Sequence, residues 1–372
     1  MKKIGITGQN GFVGYHLYHT MQLYKDEFIL IDFDRSYFDD ASKLDAFVSQ
    51  CDVIVHLAAL NRHDDPEVIY KMNTGLVKKL VASLERAKSQ AHVIISSSTQ
   101  EASDNFYGKS KKEGRLILSD WANRSRGRFT GMVIPNVFGP FGNPYYNSVV
   151  ATFCYQISHN ETPKIEVDKQ LKLVYVGKLV EKIINTIRVE DNTHELQIHH
   201  TAQAKVSEIL ALLQHFKEVY QEKGEFPAIN RPFEHELFNT YRCYMELANH
   251  FPRKFTQHTD NRGVFVEIAR HGIAGQTSFS TTVPGVTRGN HFHTRKIERF
   301  AVIKGKALIQ LRRIGTDDIH HFYLDGEEPA YVDMPIWYSH NIKNIGQDTL
   351  YTIFWINEPY DAINPDTWFE VV

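Results

Sequence analysis

The sequence contains little cysteine, and this scarcity limits the class of protein it can be. Only three cysteines occur among the 372 residues, and they lie far apart at Cys51, Cys154 and Cys243. An odd number of cysteines without a Cys-x-x-Cys pair argues against a disulfide-stapled secreted scaffold. We therefore expect three reduced thiols in a cytoplasmic protein.

Long hydrophobic runs and an excess of one charge are also missing. No apolar run approaches the roughly 18 residues that a membrane-spanning helix needs, and the N-terminus leads directly into a strand pattern rather than a signal peptide. The net charge of −2 and the isoelectric point near 6.8 give no electrostatic attraction to nucleic acid or to an anionic membrane. We expect neither partner.

The length and the changing pattern of the chain predict two domains. A chain of 372 residues exceeds one ordinary hydrophobic core. Apolar residues keep helical spacing over residues 206–223 and then lose it, and prolines follow at Pro232 and Pro252. We predict a first domain over residues 1–248 and a second over residues 249–372.

A glycine-rich turn follows the first predicted strand. The apolar residues after Lys3 lead into glycines at positions 8, 11 and 14, and a helical pattern comes next. Such glycines allow a tight turn, close approach of a pyrophosphate to backbone N–H groups, and close helix–strand packing. We predict a dinucleotide site with the turn contacts Gly8, Gly11, Phe12, Val13 and Gly14.

The ends of the next two predicted strands bear on which dinucleotide is bound. A carboxylate at Asp32 would bond the ribose hydroxyls of NADH, whereas Arg35 would accept the 2′-phosphate of NADPH. Arg62 lies in the following predicted cofactor loop. We therefore favour NADPH and keep NADH as the alternative. Leu57 and Ala58 end the third strand and let a dinucleotide lie across the sheet edge.

The stretch from residue 92 to residue 111 carries the predicted chemistry. The apolar run His92–Ile95 predicts a buried strand that ends in serines, the last of them Ser98. Tyr107 and Lys111 are four residues apart and share one helix face. The ammonium can lower the pKa of the phenol, which then exchanges a proton with a carbonyl or alcohol. We predict Ser98, Tyr107 and Lys111 as catalytic residues, and the last two also as cofactor contacts.

The hydrophobic pattern of the second domain differs from that of the first. Short runs of alternating hydrophobicity, Val264–Ile268, Phe300–Ile303 and Tyr351–Trp355, are separated by glycine and proline turns. This pattern predicts a small antiparallel barrel or jelly roll. The predicted fold is thus a doubly wound parallel α/β sheet followed by an all-β domain.

A metal site is predicted inside the second domain. His291 and His293 alternate on one strand, so both imidazoles face the same side. Glu298 and His340 complete a set of three nitrogens and one carboxylate, which suits Zn²⁺, Fe²⁺, Mn²⁺ or Ni²⁺. We favour Zn²⁺ because nothing in the sequence requires redox chemistry. The alternative, four unliganded core residues, would leave buried polar groups in need of partners.

The motifs of residues 1–240 resemble the extended short-chain dehydrogenase/reductase family. The glycine turn after Thr7 and the set Ser98, Tyr107 and Lys111 carry this resemblance. It implies that Ser98 orients the substrate oxygen, that Tyr107 is the acid/base, and that Lys111 binds the nicotinamide ribose. Dehydratases of the family carry Thr-Asp-Glu where this chain has Ser98-Thr99-Gln100. Reduction or epimerisation is therefore favoured over dehydration.

The same resemblance implies a sugar-nucleotide pocket. The segment Val133–Pro140 is similar to the family's strand and loop that lead to the substrate. Hydroxyl, amide and aromatic groups that follow suit a sugar diphosphate and a uracil ring. The implied substrate contacts are Asn136, Tyr146, Asn147 and Ser148. A tyrosine-rich surface turn is the structural alternative for this stretch.

The second domain resembles the cupins, and the whole chain resembles a bifunctional family. The segments 289–298 and 335–344 are similar to the two cupin motifs, with Trp337 in place of a glycine. A closer likeness to CapF-type capsular-polysaccharide synthesis enzymes is carried by residues 147–155, the run Ser96–Ser98 and the stretch Gly289–His291. This likeness implies a reductase fused to a cupin.

The resemblance implies a two-step reaction on a UDP-linked 4-keto-6-deoxy sugar. The cupin domain would epimerise C3 of UDP-2-acetamido-2,6-dideoxy-β-L-arabino-4-hexulose. The reductase domain would then use NADPH to form UDP-2-acetamido-2,6-dideoxy-β-L-talose, a precursor of UDP-N-acetyl-L-fucosamine. Alternatives are another nucleotide such as dTDP, an oxygenase cupin, or a non-catalytic NADP(H) and ligand sensor. We also expect a homodimer.

Overall fold

The computed structural model describes residues 1–125, 127–260, 263–266, 268, 275–358 and 361–372. These residues form two compact units. The first unit comprises residues 1–152 and 169–206, and the second comprises residues 153–168 and 207–372. Residues 207–248 thus pack in the second unit, whereas the sequence pattern assigned them to the first domain.

In the described part of the chain, helices occur up to residue 250 and only strands follow. The helices are α1 (Phe12–Met21), α2 (Ala41–Gln50), α3 (Pro66–Arg86), α4 (Phe106–Ser125), α5 (Val149–Ser158), α6 (Val176–Val189), α7 (Val206–Phe216), α8 (Pro232–Arg242) and α9 (Leu247–His250). Short 3₁₀ helices cover Arg35–Asp39 and Thr99–Ala102, and a π-helical segment covers Lys217–Glu222.

The strands of the first unit precede those of the second. They are β1 (Lys2–Thr7), β2 (Phe28–Ile31), β3 (Val53–His56), β4 (His92–Ser98), β5 (Phe129–Ile134), β6 (Asn136–Phe138), β7 (Gln170–Tyr175), β8 (Leu196–Gln197) and β9 (Ala202–Lys205). The second unit has β10 (Arg253–Lys254), β11 (Gln257–Asp260), β12 (Gly263–Val266), β13 (Gln276–Thr282), β14 (Thr287–Phe292), β15 (Glu298–Lys304), β16 (Lys306–Arg313), β17 (Ile319–Asp325), β18 (Ala330–Met334), β19 (Tyr338–Asn344), β20 (Leu350–Ile356) and β21 (Trp368–Phe369).

The first unit is built on a parallel sheet with the strand order β2-β1-β3-β4-β5-β8. Its central strands are apolar on both faces, as strands covered by helices on both sides must be. One core cluster packs α2, α3 and α4 on one face, and a second packs α1 and α6 on the other. The predicted Rossmann-like arrangement is confirmed. Strands β6, β7 and β9 form a small separate sheet.

The second unit contains two antiparallel sheets of five strands, ordered β10-β18-β15-β20-β13 and β17-β16-β19-β14-β21. Strands β11 and β12 form a hairpin. The predicted antiparallel all-β architecture is therefore confirmed. Of the predicted strand run 264–268, residues 264–266 lie in β12, and residue 267 lies outside the described residues.

A buried polar network explains why the helices after residue 206 belong to the second unit. Arg299 on β15 forms an ion pair with Asp333 on β18 at 2.7 Å, and both side chains are almost fully buried. The hydroxyl of Tyr220 donates to Asp333 at 2.7 Å. Arg242 on α8 donates to the carbonyl oxygen of Met334 at 2.8 Å. Buried charges require such partners, so this helical segment and the sheet fold as one unit.

Among the helices that the structure describes, none combines the length and the hydropathy that crossing a bilayer requires.

Candidate active site and candidate metal centre

The glycine turn after β1 brings the backbone close to the end of β3. Gly8 has φ +82°, and a Cβ there would lie 2.8 Å from the backbone nitrogen of Ala58. A Cβ on Gly14 would lie 2.1 Å from the carbonyl oxygen of Gly8. Both glycines are required by these close approaches. The helix α1 begins directly after the turn, so its free N–H groups face the end of the sheet.

The end of β3 is held by polar contacts from β1 and α3. The Nδ1 atom of His56 lies 2.8 Å from the hydroxyl of Thr7. Burial, with a smaller contribution from the charge of Lys111, lowers the pKa of His56 to about 3, so this histidine is neutral. Asn73 accepts from the backbone N–H of Leu60 at 2.7 Å and donates to its carbonyl at 3.0 Å. These bonds fix the loop after β3.

The residues predicted to select the dinucleotide differ in their surroundings. Asp32 and Arg35 are exposed after the end of β2. Asp34 accepts from the backbone N–H of Ser36 at 2.8 Å and so caps the 3₁₀ helix. Arg62 donates to the carbonyl oxygens of Tyr145 at 2.8 Å and Tyr146 at 3.1 Å. Its guanidinium thus ties the loop after β3 to the predicted substrate segment.

The predicted catalytic residues meet where β4 ends and α4 begins. Ser98 is the last residue of β4, and its Oγ accepts from the backbone N–H of Gln100 at 3.2 Å. The ammonium of Lys111 lies 3.4 Å from the Oγ of Ser96 and 5.9 Å from the centroid of the Tyr107 ring. The structure therefore places the phenol, the ammonium and the strand-end serines in one neighbourhood.

Burial dominates the electrostatics of this site. Burial, with a smaller contribution from Tyr146, raises the pKa of Tyr107 to about 12. This direction is the opposite of the one predicted from the sequence, because burial disfavours the phenolate more than the ammonium favours it. Burial also lowers the pKa of Lys111 to about 8, although Glu101 opposes that shift. A protonated phenol beside a cation is suited to donate a proton to a developing alkoxide.

A buried ion pair next to this site stabilises it. This pair was not predicted from the sequence. The guanidinium of Arg115 on α4 donates to the carboxylate of Glu101 at 2.7 and 2.9 Å, and Ser97 also donates to Glu101. Both charged side chains are about nine-tenths buried. A Cβ on Gly108 would lie 2.0 Å from the carbonyl oxygen of Gln100, so the start of α4 packs directly on the 3₁₀ helix. The four-residue spacing from Lys111 to Arg115 was the available sequence signal.

We expect Arg115→Met to destabilise the chain by about 3 kcal/mol, because it leaves the Glu101 carboxylate buried and unpaired. Urea unfolding followed by tryptophan fluorescence measures this loss. Arg124→Met is the matched control: Arg124 lies on the same helix, α4, and forms an exposed ion pair with Glu85 of α3. Such exposed pairs contribute little. Equal urea concentrations at the unfolding midpoint for the two variants would contradict the stabilising role assigned to the Arg115–Glu101 pair.

The same ion pair has a defined pH dependence. Burial alone would raise the pKa of Glu101, but hydrogen bonds from Arg115 and Ser97 outweigh it and hold that pKa below the ordinary value. The stabilisation is therefore complete above the ordinary glutamate pKa of about 4.3. It is lost as the pH falls through the lowered pKa of the folded state.

The predicted substrate residues occupy different settings. Asn136 on β6 and Asn147 are exposed. The hydroxyl of Tyr146 accepts from the backbone N–H of Asn61 at 3.3 Å, and its effect on the Tyr107 pKa places it near the phenol. The Oγ of Ser148 accepts from the backbone N–H of Ala151 at 3.3 Å, which caps α5.

The four predicted metal ligands form one cluster in the second unit. His291 ends β14 together with Phe292, Glu298 begins β15, and His340 lies in β19 opposite His291. One ligand atom from each of His291, His293, Glu298 and His340 lies within 4.8 Å of all the others. An Oε2 atom of Glu298 is 3.2 Å from the Nε2 atoms of both His293 and His340.

The outer nitrogens of two imidazoles are already occupied. The Nδ1 atom of His293 lies 2.5 Å from the carbonyl oxygen of Asp366, and the Nδ1 atom of His340 lies 3.1 Å from that of Tyr338. Only a protonated Nδ1 can donate to a carbonyl, so we assign the Nε2 lone pairs to the centre. The Nε2 atoms of His340 and His291 are 3.2 Å apart. Two facing lone pairs beside a carboxylate fit a divalent cation.

The protonation states of two members of the cluster, His291 and Glu298, also suit a cation. Burial and the neighbouring imidazoles lower the pKa of His291 to about 3, so it is neutral. Burial alone would raise the pKa of Glu298, but the contacts of its carboxylate with His293 and His340 outweigh burial and lower that pKa. The cluster thus offers a neutral imidazole and an ionised carboxylate, which are the forms that ligate metals.

Comparison with known proteins identifies the class of each part of the chain. Residues 4–195 match the NAD dependent epimerase/dehydratase family. Residues 258–368 match the Polysaccharide biosynthesis C-terminal domain. Because the first match spans more than half of the chain, the protein belongs to the NAD dependent epimerase/dehydratase family.

Full-length relatives narrow the comparison. The chain is 31% identical over 369 residues, 98% of each chain, to UDP-2-acetamido-2,6-beta-L-arabino-hexul-4-ose reductase of Pseudomonas aeruginosa. It is also similar to the capsular polysaccharide assembling protein CapF of Staphylococcus aureus, with 31% identity, full coverage of both chains and a TM-score of 0.63. CapF with the inhibitor 3-isopropenyl-tropolone gives 30% identity, full coverage of both chains and a TM-score of 0.59. The predicted likeness to the CapF-type enzymes is confirmed, and the chain is an enzyme of this class.

Proposed function

We propose that the chain is a bifunctional nucleotide-sugar enzyme. Its second unit epimerises C3 of UDP-2-acetamido-2,6-dideoxy-β-L-arabino-4-hexulose. Its first unit then reduces the C4 ketone with NADPH to UDP-2-acetamido-2,6-dideoxy-β-L-talose, on the route to UDP-N-acetyl-L-fucosamine for a capsule or O-antigen. The presence on one chain of a Tyr107–Lys111 pair, with the ammonium 5.9 Å from the phenol ring centroid, and of a three-imidazole, one-carboxylate cluster carries this proposal. The reductase name of the Pseudomonas aeruginosa relative supports the substrate.

The order of the two steps follows from the chemistry of the sugar. The C4 carbonyl makes the proton on C3 acidic, because the carbanion left by its removal is stabilised as an enolate. Reduction of C4 removes that carbonyl and ends the exchange. Epimerisation therefore comes first, and reduction traps the epimer.

The reductase step needs a proton at the oxygen on C4. Tyr107 donates this proton, since its raised pKa of about 12 keeps the phenol protonated at neutral pH. The hydroxyl of Ser98 orients the same oxygen, and the ammonium of Lys111 stabilises the negative charge that develops there. NADPH, when bound, supplies the hydride. The residues proposed to hold it are Gly8, Gly11, Phe12, Val13, Gly14, Asp32, Arg35, Leu57, Ala58, Arg62, Tyr107 and Lys111.

The substrate is held beside the phenol. We assign its contacts to Asn136, Tyr146, Asn147 and Ser148. The influence of Tyr146 on the Tyr107 pKa supports this placement. The Arg62 guanidinium, bonded to the carbonyls of Tyr145 and Tyr146, orders the segment that carries these side chains.

The epimerase step belongs to the cupin-type second unit. His291, His293, Glu298 and His340 hold one divalent ion, which we assign as Zn²⁺. A bound divalent ion supplies Lewis acidity toward a carbonyl oxygen. The buried carbonyl contacts of His293 and His340 keep their rings oriented toward it.

Turnover of the purified full-length protein tests the proposal. NADPH oxidation with the UDP-linked 4-keto sugar, together with one divalent ion per chain, is the expected result. Faster turnover of the dTDP-linked sugar would change the assigned nucleotide. Consumption of O₂ would indicate an oxygenase, and binding of both ligands without turnover would indicate a sensor.

Arg35→Ala tests the choice of dinucleotide. A hydrogen bond to a charged group contributes about 1.5–3 kcal/mol, so loss of a contact to the 2′-phosphate should raise the KM for NADPH at least roughly tenfold. The KM for NADH should stay within about threefold, because NADH lacks that phosphate. Steady-state kinetics gives the KM for NADPH and the KM for NADH of the same protein, so the two cofactors are compared within each variant. Equal changes for both cofactors would contradict the role of Arg35.

A further inference from the structure

The C-terminal segment pairs with the strand that carries one of the predicted metal ligands. Strand β21 pairs with β14, with Phe369 opposite His291 and Trp368 opposite Phe292. Asp366 comes two residues before β21 and is only 3% exposed. A carboxylate this deeply buried must be held by several donors.

The carboxylate of Asp366 binds the backbone of the loop that joins two predicted ligands. Its oxygens accept from the backbone N–H groups of Thr294 at 3.0 Å, Arg295 at 2.9 Å and Lys296 at 3.1 Å. The hydroxyl of Thr294 also donates to it at 2.6 Å, and the indole of Trp368 does so at 3.3 Å. Residues 294–296 lie between His293 and Glu298, so the carboxylate fixes the spacing of these two ligands.

The main-chain carbonyl group of Asp366 also contacts the ring of His293. Its carbonyl oxygen accepts from the Nδ1 of His293 at 2.5 Å, which orients the ring and leaves Nε2 for the centre. Asp366 has φ +42°, in the left-handed region that an aspartate rarely adopts. Such a conformation persists only where the surroundings over-determine it. Here the carboxylate and the carbonyl of one residue both contact the stretch 293–296.

We propose that Asp366 is a positioning residue of the metal centre, which sets the His293 ring and the 294–296 loop without touching the ion. This inference rests on the proposed metal site and extends it to the C-terminal segment. Partners that orient metal ligands typically contribute 10–100-fold to metal affinity. The chain therefore depends on a residue about 70 positions from the histidine pair to build its metal site.

Zn²⁺ affinity of the full-length protein, measured by competition with a chromophoric chelator, tests the proposal. We expect Asp366→Ala to weaken Zn²⁺ binding about 10–100-fold. Thr294→Val removes one donor to the carboxylate and should weaken binding by a smaller factor. Asp361→Ala is the control, since that carboxylate accepts from the backbone N–H of Ile363 at 2.8 Å in the same segment but is exposed. Its affinity should equal that of the wild type.

A second readout separates positioning from general stability. At a fixed Zn²⁺ concentration, bound Zn²⁺ raises the Tm by an amount that grows with the logarithm of its affinity for the folded state. In Asp366→Ala the Zn²⁺-induced rise in Tm should shrink, whereas a merely structural role would lower the Tm of stripped and loaded protein equally. Wild-type affinity in Asp366→Ala would overturn the proposal. If that variant does not fold, wild-type affinity in Thr294→Val overturns it instead. A wild-type protein that binds no Zn²⁺ would refute the metal site itself, and this inference with it.

Discussion

Tyr107→Phe should lower the rate of NADPH oxidation by about 10²–10⁴-fold, the usual cost of losing one acid/base group. The substitution removes the hydroxyl and keeps the ring, so the packing of this half-buried side chain survives. The phenol is the proton source because its pKa is raised to about 12. Because the ring stays in place, kcat should fall by a far larger factor than the KM for NADPH changes.

Tyr70→Phe is the matched control for this loss. Tyr70 donates to Glu113, on α3 and α4 of the same unit, and has no assigned part in the reaction. Stopped-flow absorbance at the nicotinamide band measures both variants. If Tyr107→Phe turned over within about threefold of the wild type, far short of the expected range, another group would be the acid.

His340→Ala should remove the metal from the second unit. His340 is fully buried and supplies one of three imidazoles around Glu298. A four-ligand site that loses a buried ligand keeps neither its donor number nor its geometry. The metal content, measured by elemental analysis after gel filtration, should fall from about one ion per chain to below about 0.1.

His321→Ala serves as the control for that loss. His321 is an exposed histidine of β17 that contacts Gln310, away from the four ligands. Its metal content should match that of the wild type. Equal metal content in His340→Ala would show that the ion, if present, is held elsewhere.

The sequence predicted the parts of both sites that depend on local spacing. The glycine turn between β1 and α1 and the Tyr107–Lys111 spacing follow from strand and helix periodicity. The four metal ligands could also be named, because His-x-His alternation places both rings on one side of a strand. The structure brings His291 and His340 together although 49 residues separate them.

The features that the sequence did not reveal depend on distant partners or on burial. Asp366 carries no local pattern, and its role emerges only when the C-terminal segment pairs with β14. The Arg299–Asp333–Tyr220 network joins residues more than 100 positions apart, so the helices after residue 206 could not be assigned to their unit. The direction of the Tyr107 pKa shift was wrong because burial of the phenol cannot be read from Tyr-x-x-x-Lys spacing.

We propose that the second unit epimerises C3 and the first unit reduces C4. The most direct test is solvent deuterium exchange at C3 of the UDP-linked 4-keto sugar, followed by NMR in D₂O without NADPH. The account predicts that full-length Tyr107→Phe exchanges the C3 proton at the wild-type rate while forming no reduced sugar. It predicts that His340→Ala exchanges no proton. Exchange by His340→Ala together with none by Tyr107→Phe would contradict it, because both steps would then take place in the reductase site.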